Sequence, residues 1–387
     1  MDVRVIGSTK PGYVLPVEEA KIFAGRSAGI CYMEDKFETI ESWKDARALK
    51  LFEGIGKSGH HSVAGHTSYN LLLTGVPKII AMILNNEKKY DTSEKSARYT
   101  TMVTEGDELR LYSKWFALLY ELLRGKYYKL GDKTIEKLAK ENARYFISVF
   151  TPATTMEYTV DLRQGNYLIQ FLEEYAEKIS ESEDPFDVKL YPWLIETAGL
   201  FRSVFNCDEI RDKKWRGLSL FASNPRSEYY GDVYSTNYVG SFAQLAQAQR
   251  HRTLSYEMTV PKLRDATFFV PPILRDQSVL PDRYLKDIES IKGNYPQGMQ
   301  VFINERGTLE NFALKCSERL CGAAQLEICL QTKKTLENYL AKASIYGETN
   351  ALNVLNRIIG KTKCQFTKQE CLRPCPLGPA EAFTRKI

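Results

Sequence analysis

The sequence predicts an α/β (α+β) protein written as two related halves, residues 1–187 and 188–387. Three observations carry this. The 387 residues are 43% hydrophobic and 26% charged, the balance of a packed globular chain long enough for more than one core. An early stretch, "EEAKIFAGRSAGICYMEDKFETIESWKDARALKLFEGI", has a counterpart later, "YPWLIETAGLFRSVFNCDEIRDKKWRGLSLFA". Each is followed by a run with strand character and then one with helix character.

The elements follow in order. "TSYNLLLTG" in the first half and "VYSTNYVG" in the second are rich in Tyr, Val and Thr and read as strands. Each passes into a helix, opened by Pro77 or by Ser241. Next come "ENARYFISVFTPATTMEYTVDLRQGNYLIQFLEEYAEKI" and "YPQGMQVFINERGTLENFALKCSERLCGAAQLEICLQTKKTL". Both predict a short strand pair leading into a long amphipathic helix. "SESEDPFDVKLYP", with its Ser, Glu, Asp and Pro, is expected to be the linker between the halves.

Composition also excludes. A net charge of +5, spread along the chain, argues against a dedicated nucleic-acid surface. The N-terminal stretch has no apolar signal-like core and no segment is apolar enough to span a membrane, so a cytoplasmic protein is expected. Neither a GxxxxGK[ST] loop nor a GxGxxG after a strand is present. "GHHSVAGH" has no carboxylate or Cys partner at zincin spacing, which argues against metal there. Cys364, Cys371 and Cys375 lie close together, with Cys316, Cys321 and Cys329 upstream. They read as a Zn²⁺ or Fe–S ligand set completed from elsewhere, or as free thiols on a closing segment.

The chemistry gathers around "AQAQRHRTLSYEM". Arg250, His251 and Arg252 follow a charge-poor helix carrying Gln244, Gln247 and Gln249, and such a row offers three donors to one anion or flavin ring. A solvated helix end, favoured by the dipole, is the plainer reading. All four histidines, His60, His61, His66 and His251, fall in the matching segments of the two halves. At the equivalent place the first half has Asn86, Glu87 and Lys88, then "TSEKSARYT" with Glu94, Ser96, Arg98 and Tyr99. Each half holds what the other lacks.

These residues resemble the flavin-dependent thymidylate synthases, the ThyX family, whose signature is a run like RHRxxSxNExSxRY. "QAQRHRTLSYE" is similar to it, with Gln247 three residues before Arg250, and "RLCGAAQLEIC" resembles the family's long helix, giving Arg319, Gln325 and Glu327. In the first half, "GHHSVAGH" supplies His66, "SEKSARYT" supplies Glu94, Ser96 and Arg98, and "ENARYF" supplies Arg144. There are departures. Strict spacing puts Val260 at the family's serine; a one-residue deletion puts Thr259 there, Glu257 at its glutamate and Pro261 at its arginine. Gly65 stands where the family has Glu before His66.

The resemblance implies two ThyX-like repeats, each a small, mostly antiparallel sheet packed with helices. It implies reductive methylation of dUMP to dTMP, with methylenetetrahydrofolate as carbon donor, FAD as hydride carrier and NADPH as reductant. Ser96, Arg250 and His251 would be catalytic. His66, Arg250, His251, Arg252 and Glu257 would bind the flavin, and Gln247, Ser96, Arg98, Arg144 and Arg319 the nucleotide. Because the family's sites are built from several subunits of a tetramer, the chain is expected to act as a homodimer whose sites are divided between the repeats. A flavoenzyme for another pyrimidine nucleotide and a non-catalytic nucleotide- or flavin-binding relative are the alternatives.

Overall fold

The computed structural model describes residues 1–10, 14–32, 43–100, 102, 104–212, 216–221, 226–367, 375 and 377–387. The elements begin with β1 (Asp2–Ser8), α1 (Val17–Gly29), α2 (Asp45–Lys57), β2 (Ser68–Val76), α3 (Lys78–Leu84) and β3 (Asp91–Glu94). α4 (Gly106–Lys126), α5 (Asp132–Ala143), β4 (Thr154–Asp161), α6 (Leu162–Ile179) and α7 (Pro185–Phe205) complete the first part. Then come β5 (Tyr229–Tyr230), β6 (Val233–Ser241), α8 (Phe242–Ala248), β7 (Ser255–Thr259), α9 (Leu280–Ser290) and β8 (Gln300–Thr308). α10 (Leu309–Arg319), α11 (Leu326–Tyr346), α12 (Thr349–Leu355) and α13 (Lys363–Phe366) close the chain.

Two four-stranded antiparallel sheets are built, and their orders correspond: β1-β2-β4-β3 and β5-β6-β8-β7. In each, a central strand runs straight into a short buried helix and a second central strand into a longer one. The junctions are chemically set. Ser241 caps α8 by accepting from Gln244 N at 3.0 Å, Asp161 caps α6 through Gln164 N at 2.7 Å, and Thr308 caps α10 through Asn311 N at 3.3 Å. Pro77 precedes α3 with φ −61°, a value its ring fixes.

The compact units divide the chain differently from the two halves expected from the sequence. One is Met1–Lys95 with Pro152–Ser219; the other is Ser96–Thr151 with Leu220–Ile387. In the first unit, Tyr69, Leu71 and Leu73 on β2 and Met156, Tyr158 and Val160 on β4 alternate inward, with Leu71 opposite Tyr158. α3 buries Ile79 to Leu84 completely, and it packs against α7. α1 and α2 touch backbone to backbone: a Cβ at Gly25 would lie 2.0 Å from the Ala48 carbonyl oxygen.

In the second unit, α4 presents Leu111, Trp115, Leu119 and Leu123 as one apolar stripe, joined by Tyr284 and Ile288 of α9. The sheet encloses an ion pair: Lys315 Nζ meets Glu305, both side chains fully buried, while Tyr234 and Tyr238 donate to the two carboxylate oxygens at 2.8 and 2.9 Å. Burying two charges is sustainable only because every carboxylate oxygen is met by a donor.

Two sequence expectations are corrected. The expected linker is a helix start, because Asp184 accepts from Phe186 N at 2.9 Å and Pro185 occupies the first turn, where its missing N–H costs nothing. The expected strand pairs are single strands, β4 and β8. Their missing partners pair with each other inside the second unit: Ser148 bridges Pro296, Gln297 N donates to the Ile147 carbonyl at 2.8 Å, and Val149 N donates to that of Tyr295 at 3.0 Å. Among the described residues, no helix is long and apolar enough to cross a membrane.

Candidate functional site

The end of α8 is where the second unit gathers its chemistry. His251 is 7% exposed, and its Nε2 accepts from Arg319 Nε at 2.6 Å. Arg319 Nη2 also donates to the Gln247 carbonyl at 3.2 Å, satisfying one of the open carbonyls of the helix end. Burial, then the Arg319 and Lys315 charges, push His251 down to about 2. The imidazole is therefore neutral and its Nε2 an acceptor, which corrects the expectation of three donors in a row. Arg250 and Arg252, on either side, are exposed.

Three residues of the first half join this unit. Ser96 makes a tight turn just after β3: its Oγ accepts from Arg98 N at 3.3 Å and its carbonyl from Tyr99 N at 3.1 Å. Arg98 pairs through Nε with Glu141 and donates through Nη2 to the Ala323 carbonyl at 3.0 Å. Arg144, one helical turn beyond Glu141, is 5% exposed, and its Nε and Nη2 are buried without a hydrogen-bond partner. Burial lowers Arg319's affinity for its proton first, and the Arg250 and Arg98 charges add to that, so these three cations lie within electrostatic reach of one another. Unpaired buried donors of this kind cost roughly 1–3 kcal/mol each, a cost that an anion would remove.

A carboxylate network underlies the corner. Glu327, in the first turn of α11, accepts from Ser241 N at 2.8 Å, Ser241 Oγ at 2.6 Å and the Tyr145 hydroxyl at 3.0 Å. Gln325 Nε2 donates to the same Tyr145 hydroxyl at 2.8 Å. Tyr145 and Glu141 were not singled out by the sequence; the available signal was their position beside Arg144 and one turn before it.

Other expected residues lie elsewhere. His66 is exposed at the end of a 3₁₀ turn in the first unit. Glu257 is bonded to Arg226 Nε at 2.6 Å and paired with Arg306 at 2.6 Å. Burial alone would raise it; the two guanidiniums, Arg226 first, outweigh that and hold it below the usual carboxylate range. In the first unit, Glu87 occupies the row matching Arg-His-Arg, and it accepts from Ser219 N at 2.5 Å and Ser219 Oγ at 2.9 Å, while Asn86 Nδ2 donates to that Oγ at 2.7 Å. Cys364 and Cys375 are partly buried, and Cys371 lies outside the described residues; among those described, no group of three or more His, Cys, Asp or Glu is arranged to hold a metal.

Fold and site together define an α/β protein with a cationic, partly unsatisfied anion corner. Residues 17–178 match the family Thy1, thymidylate synthase complementing protein. The matched segment is under half of the chain; it includes His66, Ser96, Arg98 and Arg144 but none of the Arg-His-Arg row. No curated protein matches the chain. Among solved structures, one similar protein is the flavin-dependent thymidylate synthase ThyX from Helicobacter pylori complexed with FAD and dUMP, at 16% identity and TM-score 0.30, over 53% of this chain and 100% of that one. A second structure of Helicobacter pylori ThyX with FAD and dUMP has the same identity and TM-score over 54% of this chain and 100% of that one.

Proposed function

We propose that this chain is an FAD-dependent thymidylate synthase working at the cationic corner of the second unit. The observation that carries the reading is Arg144, a buried guanidinium with two unsatisfied donor atoms, in the same unit as Arg98 and Arg319, whose charges act on each other. Such a set fits the phosphate of dUMP, which takes bidentate guanidinium contacts. The matching strand orders and strand-to-helix junctions support an internal duplication, and the presence of Ser96, Arg98 and Arg144 in the unit of Gln247, His251 and Arg319 supports a site composed from both repeats.

In the overall reaction, dUMP, methylenetetrahydrofolate, NADPH and a proton give dTMP, tetrahydrofolate and NADP⁺. Bound FAD would supply the hydride, with Arg250 and Arg252 holding its anionic groups. The chain's own part is electrostatic. Cationic donors at the uracil carbonyl oxygens stabilise the enolate-like charge that makes C5 nucleophilic. Neutral His251 accepts from Arg319 and so fixes the direction of that guanidinium. Ser96 positions Arg98, and Arg98, Arg144 and Arg319 hold the phosphate.

The deciding experiment is flavin reconstitution followed by assay of dTMP from dUMP, with growth of a thymidine-requiring strain as the cellular counterpart. Yellow protein and dTMP support the proposal. Colourless protein after reconstitution, with no dTMP, overturns it. The protein is further proposed to act as a cytoplasmic homodimer, which size-exclusion with light scattering checks.

A further inference from the structure

Between α10 and α11 the chain makes a turn that begins with a cysteine, and a second cysteine-led turn from the C-terminal segment packs on it. In the first, Ala324 N donates to the Cys321 carbonyl at 3.1 Å, and Ala323 N donates to Cys321 Sγ at 3.4 Å. In the second, Gly378 N donates to the Cys375 carbonyl at 3.2 Å, with Gly378 at φ +72°, a left-handed value that glycine takes without strain. The Cys375 side chain lies against Gly322: a Cβ there would stand 3.2 Å from its Sγ and 3.6 Å from its Cβ. Glycine at 322 thus lets the Cys375 thiol settle on the residue that follows Cys321. Two arginines hold the first turn. Arg98 Nη2 donates to the Ala323 carbonyl at 3.0 Å, and the buried Arg385, from the C-terminal segment, donates through Nη2 to the Ala324 carbonyl at 2.7 Å.

We propose that Cys321 and Cys375 are a reversible thiol–disulfide pair, oxidised by hydrogen peroxide, that straps the C-terminal segment to the turn carrying Ala323. This rests on the packing of the two turns, not on the thymidylate reading. Both cysteines are partly exposed, so a small oxidant reaches them. Cys329 and Cys316 are fully buried, and burial pushes both thiols up; the Cys329 thiol also donates to the Ala382 carbonyl at 3.8 Å. Such thiols are inert.

Cys321 is the attacking thiol, because its sulfur already accepts an N–H, the partner a thiolate keeps. The thiolate attacks one peroxide oxygen, the O–O bond breaks, and with a proton from solvent the products are a sulfenic acid and water. The Cys375 thiol then attacks the sulfenic sulfur. The S–O bond breaks as the S–S bond forms, and the hydroxyl leaves with the thiol's proton as a second water. Two thiols lose two electrons and two protons, and the peroxide is reduced to water. Closure asks Cys321 to turn away from Ala323 N, while the turns themselves are already in contact. A dithiol reductant reverses it by exchange.

The test treats the reduced full chain with a stoichiometric amount of hydrogen peroxide, weighs the intact protein, then blocks remaining thiols with iodoacetamide and maps the peptides. A monomer lighter by two hydrogens, a peptide link between Cys321 and Cys375, and return to the starting mass with dithiothreitol are expected. Cys321→Ser keeps an acceptor for Ala323 N, and Cys375→Ser keeps a small side chain on Gly322. Each should abolish the link, while Cys329→Ser, Cys364→Ser and Cys371→Ser retain it. Hydrogen exchange at the amides of residues 321–324 should slow roughly tenfold in the oxidised protein, since a strapped turn opens less often. A link through Cys329, Cys364 or Cys371, a disulfide between two chains, or gain of oxygen without loss of hydrogen overturns the pairing. Unchanged exchange in the linked protein overturns the strap.

Discussion

Each unit has a corner where a short buried helix ends after its central strand, and the two corners have gone opposite ways. In the first unit, α3 ends in Asn86 and Glu87, which close on Ser219 with three hydrogen bonds of 2.5 to 2.9 Å. In the second, α8 is followed by His251 and its flanking arginines, with Arg319 bonded to His251, and in the same unit the buried Arg144 has unsatisfied donors. One scaffold thus supports a self-satisfied corner and an unsatisfied one. Strand order and helix burial correspond; the ligand chemistry lies in a handful of side chains placed on them.

Arg319→Ala should break the second corner most severely. It leaves His251 Nε2 without its donor and the Gln247 carbonyl open, and it removes one of three clustered cations. A loss on the order of 10³-fold in kcat/KM for dUMP is expected, the scale of deleting a preorganised donor. Steady-state dTMP formation measures it. Arg319→Lys should recover little, since a point charge cannot reach both acceptors as a planar fork does. Full recovery by lysine would show that the charge alone matters.

The next effect is in the first corner and is one of pH. Burial raises Glu87 to about 7, against the Ser219 hydrogen bonds and the Arg216 and Lys88 charges, which lower it. Its folded value lies above its ordinary one of 4.5, so the folded state holds the extra proton between those limits. Stability is therefore present at low pH and lost as pH rises through that window, by on the order of 3 kcal/mol. Glu87→Gln keeps an acceptor for Ser219 and removes the titration. Urea unfolding at pH 5 and pH 8 should show the parent gaining on acidification, relative to Glu87→Gln, stability on the order of 2–3 kcal/mol, and an equal pH dependence in the two would refute the assignment.

His251 gives the opposite sign. Its folded value of about 2 lies below the ordinary 6.5, so the unfolded chain binds the extra proton and stability is lost as pH falls below 6.5. By pH 5 the loss should reach about 2 kcal/mol. His251→Asn should flatten that acid limb and leave the limb assigned to Glu87 in place. The two windows overlap between pH 4.5 and 6.5 with opposite signs, so the corners are separated by comparing each variant with the parent across one pH series.

How much of this was legible beforehand follows from the range of the forces involved. β2, β6 and the helices opened by Pro77 and Ser241 were readable because alternation and caps are local signals. α7 was not, since Asp184 and Pro185 mark a helix start as well as a loop, and nothing local chooses between them. Each of the two segments was expected to give a strand pair within its own half, but Ser148 bridges Pro296, a contact of some 150 residues' separation that no local pattern encodes. Arg98, Arg144, His251 and Arg319 were named from sequence. The neutrality of His251 and the binding of Glu257 by Arg226 and Arg306 were not, because protonation and pairing depend on burial and on partners distant in the chain.

The smallest effect discriminates best between the corners. Asn86→Ala removes the Nδ2 donor to Ser219 Oγ, a hydrogen bond of 2.7 Å among part-buried groups, and should cost about 1 kcal/mol in urea unfolding. A first corner that only holds its own chain together would show that loss and no change in phosphate or dUMP affinity. A first corner that still bound an anion would show altered affinity instead, since Asn86 and Glu87 stand where the Arg-His-Arg row stands in the second. Titration of Asn86→Ala with phosphate beside the unfolding curve separates these outcomes. Unchanged affinity with a lowered unfolding midpoint would leave the second corner as the one that binds.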